Sequence, residues 1–172
     1  MIALNHFNQL SGEHAVAVLE PCVAVSGWAA QSTSRSVCRS SGPFRSRADL
    51  LSAARRLMAA WGEAELTEAL SAHPRIGEKP AGSQAHAALS RQEQGSVDDR
   101  DAALAQALKE GNARYEARFG RVFLIRAKGR SGDEILAALS RRLQNSERAE
   151  VEDALAQLRE ITLLRLEGAI GE

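Results

Sequence analysis

Aromatic side chains make up only 4% of the 172-residue chain, and there are just two cysteines. With so few large rings, a core has to be filled by small aliphatic side chains. Lys plus Arg and Asp plus Glu number 22 each, so the formal charge is zero and no global field draws the protein to nucleic acid or to an anionic membrane. The expected partner is a small molecule or another protein chain. No apolar run approaches the roughly 18 residues of a membrane-spanning helix, and Met1 to Phe7 has neither the basic flank nor the apolar stretch of a secretory signal. The chain closes on Ile170-Gly171-Glu172 rather than on a Ser-Lys-Leu peroxisomal address. These absences together lead us to expect a cytoplasmic protein. In a reducing cytosol Cys22 and Cys38 stay thiols, and neither falls in a Cys-x-x-Cys or nucleophile pattern. Also missing are a glycine-rich dinucleotide turn, a phosphate loop, a His-Glu-x-x-His helix and a nucleophile elbow. His73 and His86 have no cysteine or carboxylate at a supporting spacing, so neither metal nor organic cofactor is expected.

Hydrophobic residues account for 44% of the chain, much of it Ala and Leu, which with Arg are good helix formers. The length suits one domain over 1–172, large enough to bury a core. Ser11, followed by Ala15, Val16, Val18 and Leu19, reads as the cap of a short helix, and Ser26-Gly27-Trp28 is a candidate start for another. The stretch 31–46, rich in Ser and Arg and holding Gly42-Pro43, reads as a loop. Ser46 with Asp49 then opens an amphipathic helix carrying Leu50, Ala53, Ala54, Leu57, Met58 and Trp61. A further helix over 65–71 must stop at Ala72-His73-Pro74, because the residue before a proline is pushed out of the α region. After a turn containing Gly77, Pro80 and Gly82, a helix is expected from about Ala85 or Ser90, and a long one over 98–118 ends at Phe119-Gly120. Val122-Phe123-Leu124-Ile125 is too short and apolar for a helix and reads as a buried extended run, the one β-like stretch. Ser131-Gly132-Asp133-Glu134 is a capping box before Ile135, Leu136, Leu139 and Leu143, and Ser146 caps the last helix. The fold class is therefore all-α, a single-domain multi-helix bundle with one short extended segment near 122–126.

Three positions depart from simple helix packing. His73, held on a fixed backbone by Pro74 beside a glycine turn, could exchange a proton near neutral pH, or be a structural surface imidazole. Glu93 stands third after Ser90 in a second capping box, so it serves as a helix cap unless its carboxylate turns inward toward His73 or a substrate hydroxyl. Gln94 beside it offers amide donors and an acceptor. Arg165 falls on the stripe of Ala154, Leu158 and Ile161, which faces the core. A guanidinium there needs a carboxylate or an anionic substrate, unless it snorkels to water near Glu167.

At Ser71-Ala72-His73-Pro74-Arg75-Ile76-Gly77-Glu78-Lys79 the sequence resembles the signature of the 2-oxo-4-hydroxy-4-carboxy-5-ureidoimidazoline (OHCU) decarboxylase family in its bacterial form. The likeness continues in family order through Ser90-Arg91-Gln92-Glu93-Gln94, Tyr115, Phe119-Gly120, Phe123-Leu124-Ile125-Arg126-Ala127, Glu134-Ile135-Leu136, Arg142-Leu143-Gln144-Asn145 and Leu164-Arg165-Leu166, with Trp28 near the start. The resemblance implies an all-α carboxy-lyase of urate breakdown that converts OHCU to S-allantoin and CO2. It further implies a homodimer with no metal or cofactor. It also implies roles: His73 as the catalytic imidazole, Glu93 as its acidic partner and Arg165 as substrate anchor. Pro74, Ser90, Gln94 and the backbone of Phe123, Leu124, Ile125, Arg126 and Ala127 would line the substrate pocket. The chain departs from the pattern at Arg121-Val122, where many relatives carry Phe-Pro, and in the Ser-rich stretch before Phe44.

Two other classes compete with this reading: a non-catalytic α-helical interaction module, and a different ureide lyase or hydrolase using the same pocket. Glu93→Gln separates cap from catalyst, because glutamine still serves at the third position of a capping box but cannot be an ionised partner of His73. Melting temperature is expected to hold while decarboxylase activity falls strongly. Equal loss of both, or of neither, would assign Glu93 to the helix end.

Overall fold

Serine hydroxyls start four of the helices, each accepting a hydrogen bond from an amide that has no partner inside its helix. Ser11 accepts from His14 N–H at 3.4 Å, Ser46 from Asp49 at 3.1 Å, Ser131 from Glu134 at 3.2 Å and Ser146 from Ala149 at 3.2 Å. A computed structural model describes residues 1–23, 34–35, 37–38, 43–70 and 102–172. Within them run strand β1 (Ile2–Ala3) and helices α1 (Leu4–Gln9), α2 (Gly12–Leu19), α3 (Arg47–Met58) and α4 (Glu63–Leu70). They are followed by α5 (Ala102–Phe119), α6 (Gly132–Arg142), α7 (Glu147–Ala169) and strand β2 (Ile170–Gly171). The fold is all-α, as its sequence pattern predicts. The chain forms two compact units, Met1–Ala69 with Arg159–Glu172, and Leu70–Leu158.

In the first unit the two ends of the chain pair as parallel strands, Ile2 with Ile170 and Ala3 with Gly171. Two arginines bind main-chain carbonyls at or just beyond helix ends. Arg47 donates through Nη1 to the carbonyls of Glu167 and Ile170, both at 3.3 Å, while Arg159 donates to those of Met58 and Trp61 at 2.9 and 3.2 Å. The side chain of Asn8 takes both polar groups of one residue, donating to Phe44 C=O at 2.9 Å and accepting from Phe44 N–H at 3.0 Å. The α3 stripe buries Leu50, Ala53, Ala54 and Met58 as expected, with Trp61 just beyond it.

The structure changes three of the expectations. Ser34, Arg35, Val37 and Cys38, inside the supposed loop 31–46, are helical, and Ser34 and Val37 are buried. Val37 is the only large aliphatic there, so no periodicity marks the turn. The β1–β2 pair is a second β-like feature, and two-residue strands carry too little pattern to be seen in sequence. Helix α4 begins at Glu63, where the Glu65 carboxylate reaches back to Gly62 N–H at 2.8 Å. The expected starts at Ser26, Ala85 and Ser90, and the turn at His73-Pro74, lie outside the described residues.

The second unit packs α5 against α6 around Leu108, Tyr115, Phe123, Ile125, Ile135 and Leu139. The helices approach closely because glycines face leucines: a Cβ on Gly111 would lie 2.4 Å from Leu139, and one on Gly132 2.3 Å from Leu104. Gly120, at φ +68°, ends α5, a conformation that favours glycine. At the buried centre stands the Glu150 carboxylate. Arg142 forms an ion pair with it, donating from Nε at 2.9 Å and also from Nη2. The Tyr115 hydroxyl donates to the same Oε1 at 2.5 Å, and Asn145 Nδ2 donates to Oε2 at 3.0 Å. Burial, then the hydrogen bond and charge of Glu150, push the Tyr115 phenol well above its usual range, so it remains a donor. The third guanidinium nitrogen, Nη1, donates to Leu124 C=O at 2.6 Å, and the Arg142 plane lies 4.5 Å from the Phe123 ring centroid.

Arg142 is 1% exposed and Glu150 0%, so removing the carboxylate charge leaves a buried cation without its counterion. Glu150→Gln is expected to destabilise the protein by about 3–5 kcal/mol, measured as a lowered urea midpoint at unchanged slope. A loss below about 1 kcal/mol, the range of an exposed pair, would show that Arg142 does not depend on this charge.

Candidate active site

Of the residues the family resemblance assigns, His73, Pro74, Ser90, Glu93 and Gln94 lie outside the described residues. Arg165 and the run 123–127 are described, the first in the terminal unit and the second in the unit Leu70–Leu158.

The run 123–127 forms neither helix nor ladder, although Phe123, Leu124, Ile125 and Ala127 are all buried. Side chains stand where a neighbouring strand would be. Arg142 takes the carbonyl of Leu124, and Gln157 Oε1 accepts from Arg126 N–H at 2.9 Å. Tyr115 and Phe119 pack behind the run, with the Tyr115 and Phe123 rings edge to face at 5.2 Å. Just before it, Arg121 forms an ion pair with Glu147 at the start of α7.

Arg165 is 4% exposed, so its guanidinium does not snorkel to water. It belongs to the buried stripe of Ala154, Leu158 and Ile161 that its spacing predicts. Its charge acts on the thiol of Cys22. Burial pushes Cys22 up to about 11, and the nearby Arg165 cation draws it down only in part. Cys22 also donates from Sγ to Val18 C=O at 3.8 Å, so at neutral pH it is a core thiol beside a buried cation and no nucleophile. Burial likewise raises Cys38.

A cleft of about 510 Å³ along α2, with Glu13, Val16, Glu20, Arg35 and Cys38 in its wall, holds none of the residues the resemblance assigns. Among the described residues no three His, Cys, Asp or Glu side chains gather as a metal ion would require, and no helix is long and apolar enough to cross a membrane.

Sequence reasoning passed over two side chains that shape the 123–127 run. Glu150 reads as one of two acidic residues in the first turn of α7, yet it lies four residues before Ala154 on the stripe that ends at Arg165. That phase was the available signal. Gln157 carries no such mark, since a half-buried amide on a helix is ordinary.

The sequence profile of the family described as OHCU decarboxylase matches residues 8–167. The 2-oxo-4-hydroxy-4-carboxy-5-ureidoimidazoline decarboxylase of Haloferax volcanii is 30% identical over 165 residues, which are 96% of this chain and 94% of that protein. The uric acid degradation bifunctional protein TTL of Arabidopsis thaliana is 39% identical over 103 residues, 58% of this chain and 32% of that protein. An OHCU decarboxylase crystallised in the presence of (S)-allantoin superimposes with a TM-score of 0.68 at 28% identity, covering 92% of this chain and 97% of that one. An (S)-allantoin synthase shares the fold, with a TM-score of 0.72 at 16% identity over 99% of this chain and 54% of that one. A profile match over nearly the full length, a relative aligned end to end and a shared helical architecture agree: this chain belongs to the OHCU decarboxylase family.

Proposed function

We propose that this chain removes CO2 from OHCU to give S-allantoin in urate breakdown, with His73 delivering the proton that sets the handedness of the product. The observation that carries the reading is the family match over residues 8–167, joined to a relative of that name aligned over almost the whole of both chains. As a member of this family the chain is a carboxy-lyase acting on a small molecule.

The chemistry fits a protein that brings only its own side chains. In OHCU the departing carboxylate sits on a carbon that bears a hydroxyl and adjoins a carbon doubly bonded to ring nitrogen. When the bond to CO2 breaks, its electron pair forms a double bond between these two carbons, and the former C=N pair passes to nitrogen. The substrate is thus its own electron sink, leaving the protein to bind, orient and deliver a proton. The resulting enol takes a proton on the ureido-bearing carbon, and its hydroxyl becomes the carbonyl of allantoin. Water can reach either face of a free enol and gives racemate, whereas one fixed acid on one face gives a single enantiomer.

In this reading Arg165 holds an anionic or ureido group of the substrate, and Glu93 orients His73 or engages the reacting hydroxyl. Pro74, Ser90, Gln94 and the 123–127 backbone line the pocket. Support for His73, Glu93 and their neighbours comes from the motifs around them, and support for Arg165 from its burial on the core stripe of α7. The same resemblance leads us to propose a cytoplasmic homodimer that works without metal or cofactor.

Arg165→Lys keeps the charge but loses the planar fork suited to carboxylate or ureido groups. (S)-allantoin affinity is expected to fall roughly 10- to 100-fold, the worth of a hydrogen bond to a charged group. Titration calorimetry on the folded variant measures it, and an unchanged Kd would remove Arg165 from the pocket.

His73→Asn is the sharper test, because asparagine approximates the size and hydrogen bonding of imidazole but cannot exchange a proton near pH 7. Losing a general acid or base costs about 10²- to 10⁴-fold in rate. With freshly generated OHCU, the variant should form allantoin little faster than buffer does, and circular dichroism should show it nearly racemic while ligand still binds. Near-normal rate with S-allantoin as product would mean that another group delivers the proton.

A further inference from the structure

The run 123–127 is braced at Leu124 and Arg126. In an extended chain alternate residues present their main-chain groups to the same side, and here Leu124 C=O is taken by Arg142 at 2.6 Å and Arg126 N–H by Gln157 at 2.9 Å, while Ala127 C=O accepts from Arg130 N–H at 3.1 Å. The residues between them are different. Among the described residues no hydrogen bond reaches the main-chain N–H or C=O of Phe123 or Ile125, although these residues are 1% and 4% exposed. Buried amides are normally paired, so main-chain groups left open at Phe123 and Ile125, between braced neighbours, are shaped to receive donors and acceptors from something else. A ureide, with its alternating N–H and C=O groups, supplies both.

We infer that Gln157 is a positioning residue for substrate binding. By accepting from Arg126 N–H it fixes the main chain so that the open N–H and C=O of Ile125 meet the ureide. The inference rests on the reading of 123–127 as a pocket wall. Arg142 braces the same edge, but it is buried in the Glu150 network on which folding depends, whereas Gln157 is half-buried and its one recorded bond is to this backbone. The side chain works as an acceptor, since a backbone N–H can only donate.

That single role gives a clean comparison. Gln157→Glu keeps an acceptor oxygen at the same reach, and Gln157→Leu keeps the bulk without it. In the leucine variant the KM for freshly generated OHCU and the Kd for (S)-allantoin are expected to rise roughly 3- to 10-fold, the effect of one neutral hydrogen bond, with kcat held. The glutamate variant should restore both. A merely structural residue would lower the melting temperature and the active fraction, which scales kcat and leaves KM alone. If the leucine variant does not fold, Gln157→Ala makes the same comparison. Unchanged KM and Kd in a folded variant, or failure of glutamate to rescue them, overturns the role of Gln157. A wild-type chain that neither consumes OHCU nor binds (S)-allantoin overturns the functional reading itself, and this inference with it.

Discussion

The Glu150 carboxylate is fully buried, so it holds in place every group that neutralises it. Arg142 comes from the end of α6, Tyr115 from the middle of α5 and Asn145 from the turn before α7, and all three donate to this one residue. A buried ion pair of this kind contributes less to net stability than to specificity, because well-packed apolar residues could fill the same volume at no greater cost. What apolar residues could not do is direct the third guanidinium nitrogen at Leu124 C=O. The irregular run 123–127 is buried without a partner strand, and polar side chains on the neighbouring helices take Leu124 C=O and Arg126 N–H in its place.

This arrangement explains why helices dominate the fold while one wall of the proposed pocket is not helical. A helix uses its own amides and carbonyls internally and has none left in mid-length for a ligand. A strand in a sheet uses them on both sides. A single run braced at Leu124 and Arg126 keeps the main-chain groups of Phe123 and Ile125 available, in fixed directions and without side-chain freedom to freeze on binding.

Much of this was legible in the sequence because it depends on local rules. Four serine caps, the α3 stripe and the glycine end of α5 follow from neighbours within a turn or two. Arg165 was recognisable as buried because its phase matched Ala154, Leu158 and Ile161. The resemblance marked Tyr115, Arg142 and Asn145 without saying what they do, and their common partner was passed over because an acid in the first turn of a helix usually faces water. The helical residues around Val37 and the short terminal strands were hidden for another reason: each is set by contacts distant in sequence, and none is long enough to show a period. His73 and Glu93 stood out as residues with two possible readings, and the resemblance is what assigns them catalytic roles.

The parallel pairing of Ile2 with Ile170 ties together residues from the two ends of the chain. A two-residue ladder has almost no stability of its own, and closing so large a loop carries the full entropic cost of bringing distant segments together. It therefore depends on the helices on either side, where Arg47 holds the carbonyls of Glu167 and Ile170. The ladder thus belongs to the packing of the terminal unit and has no standing apart from it.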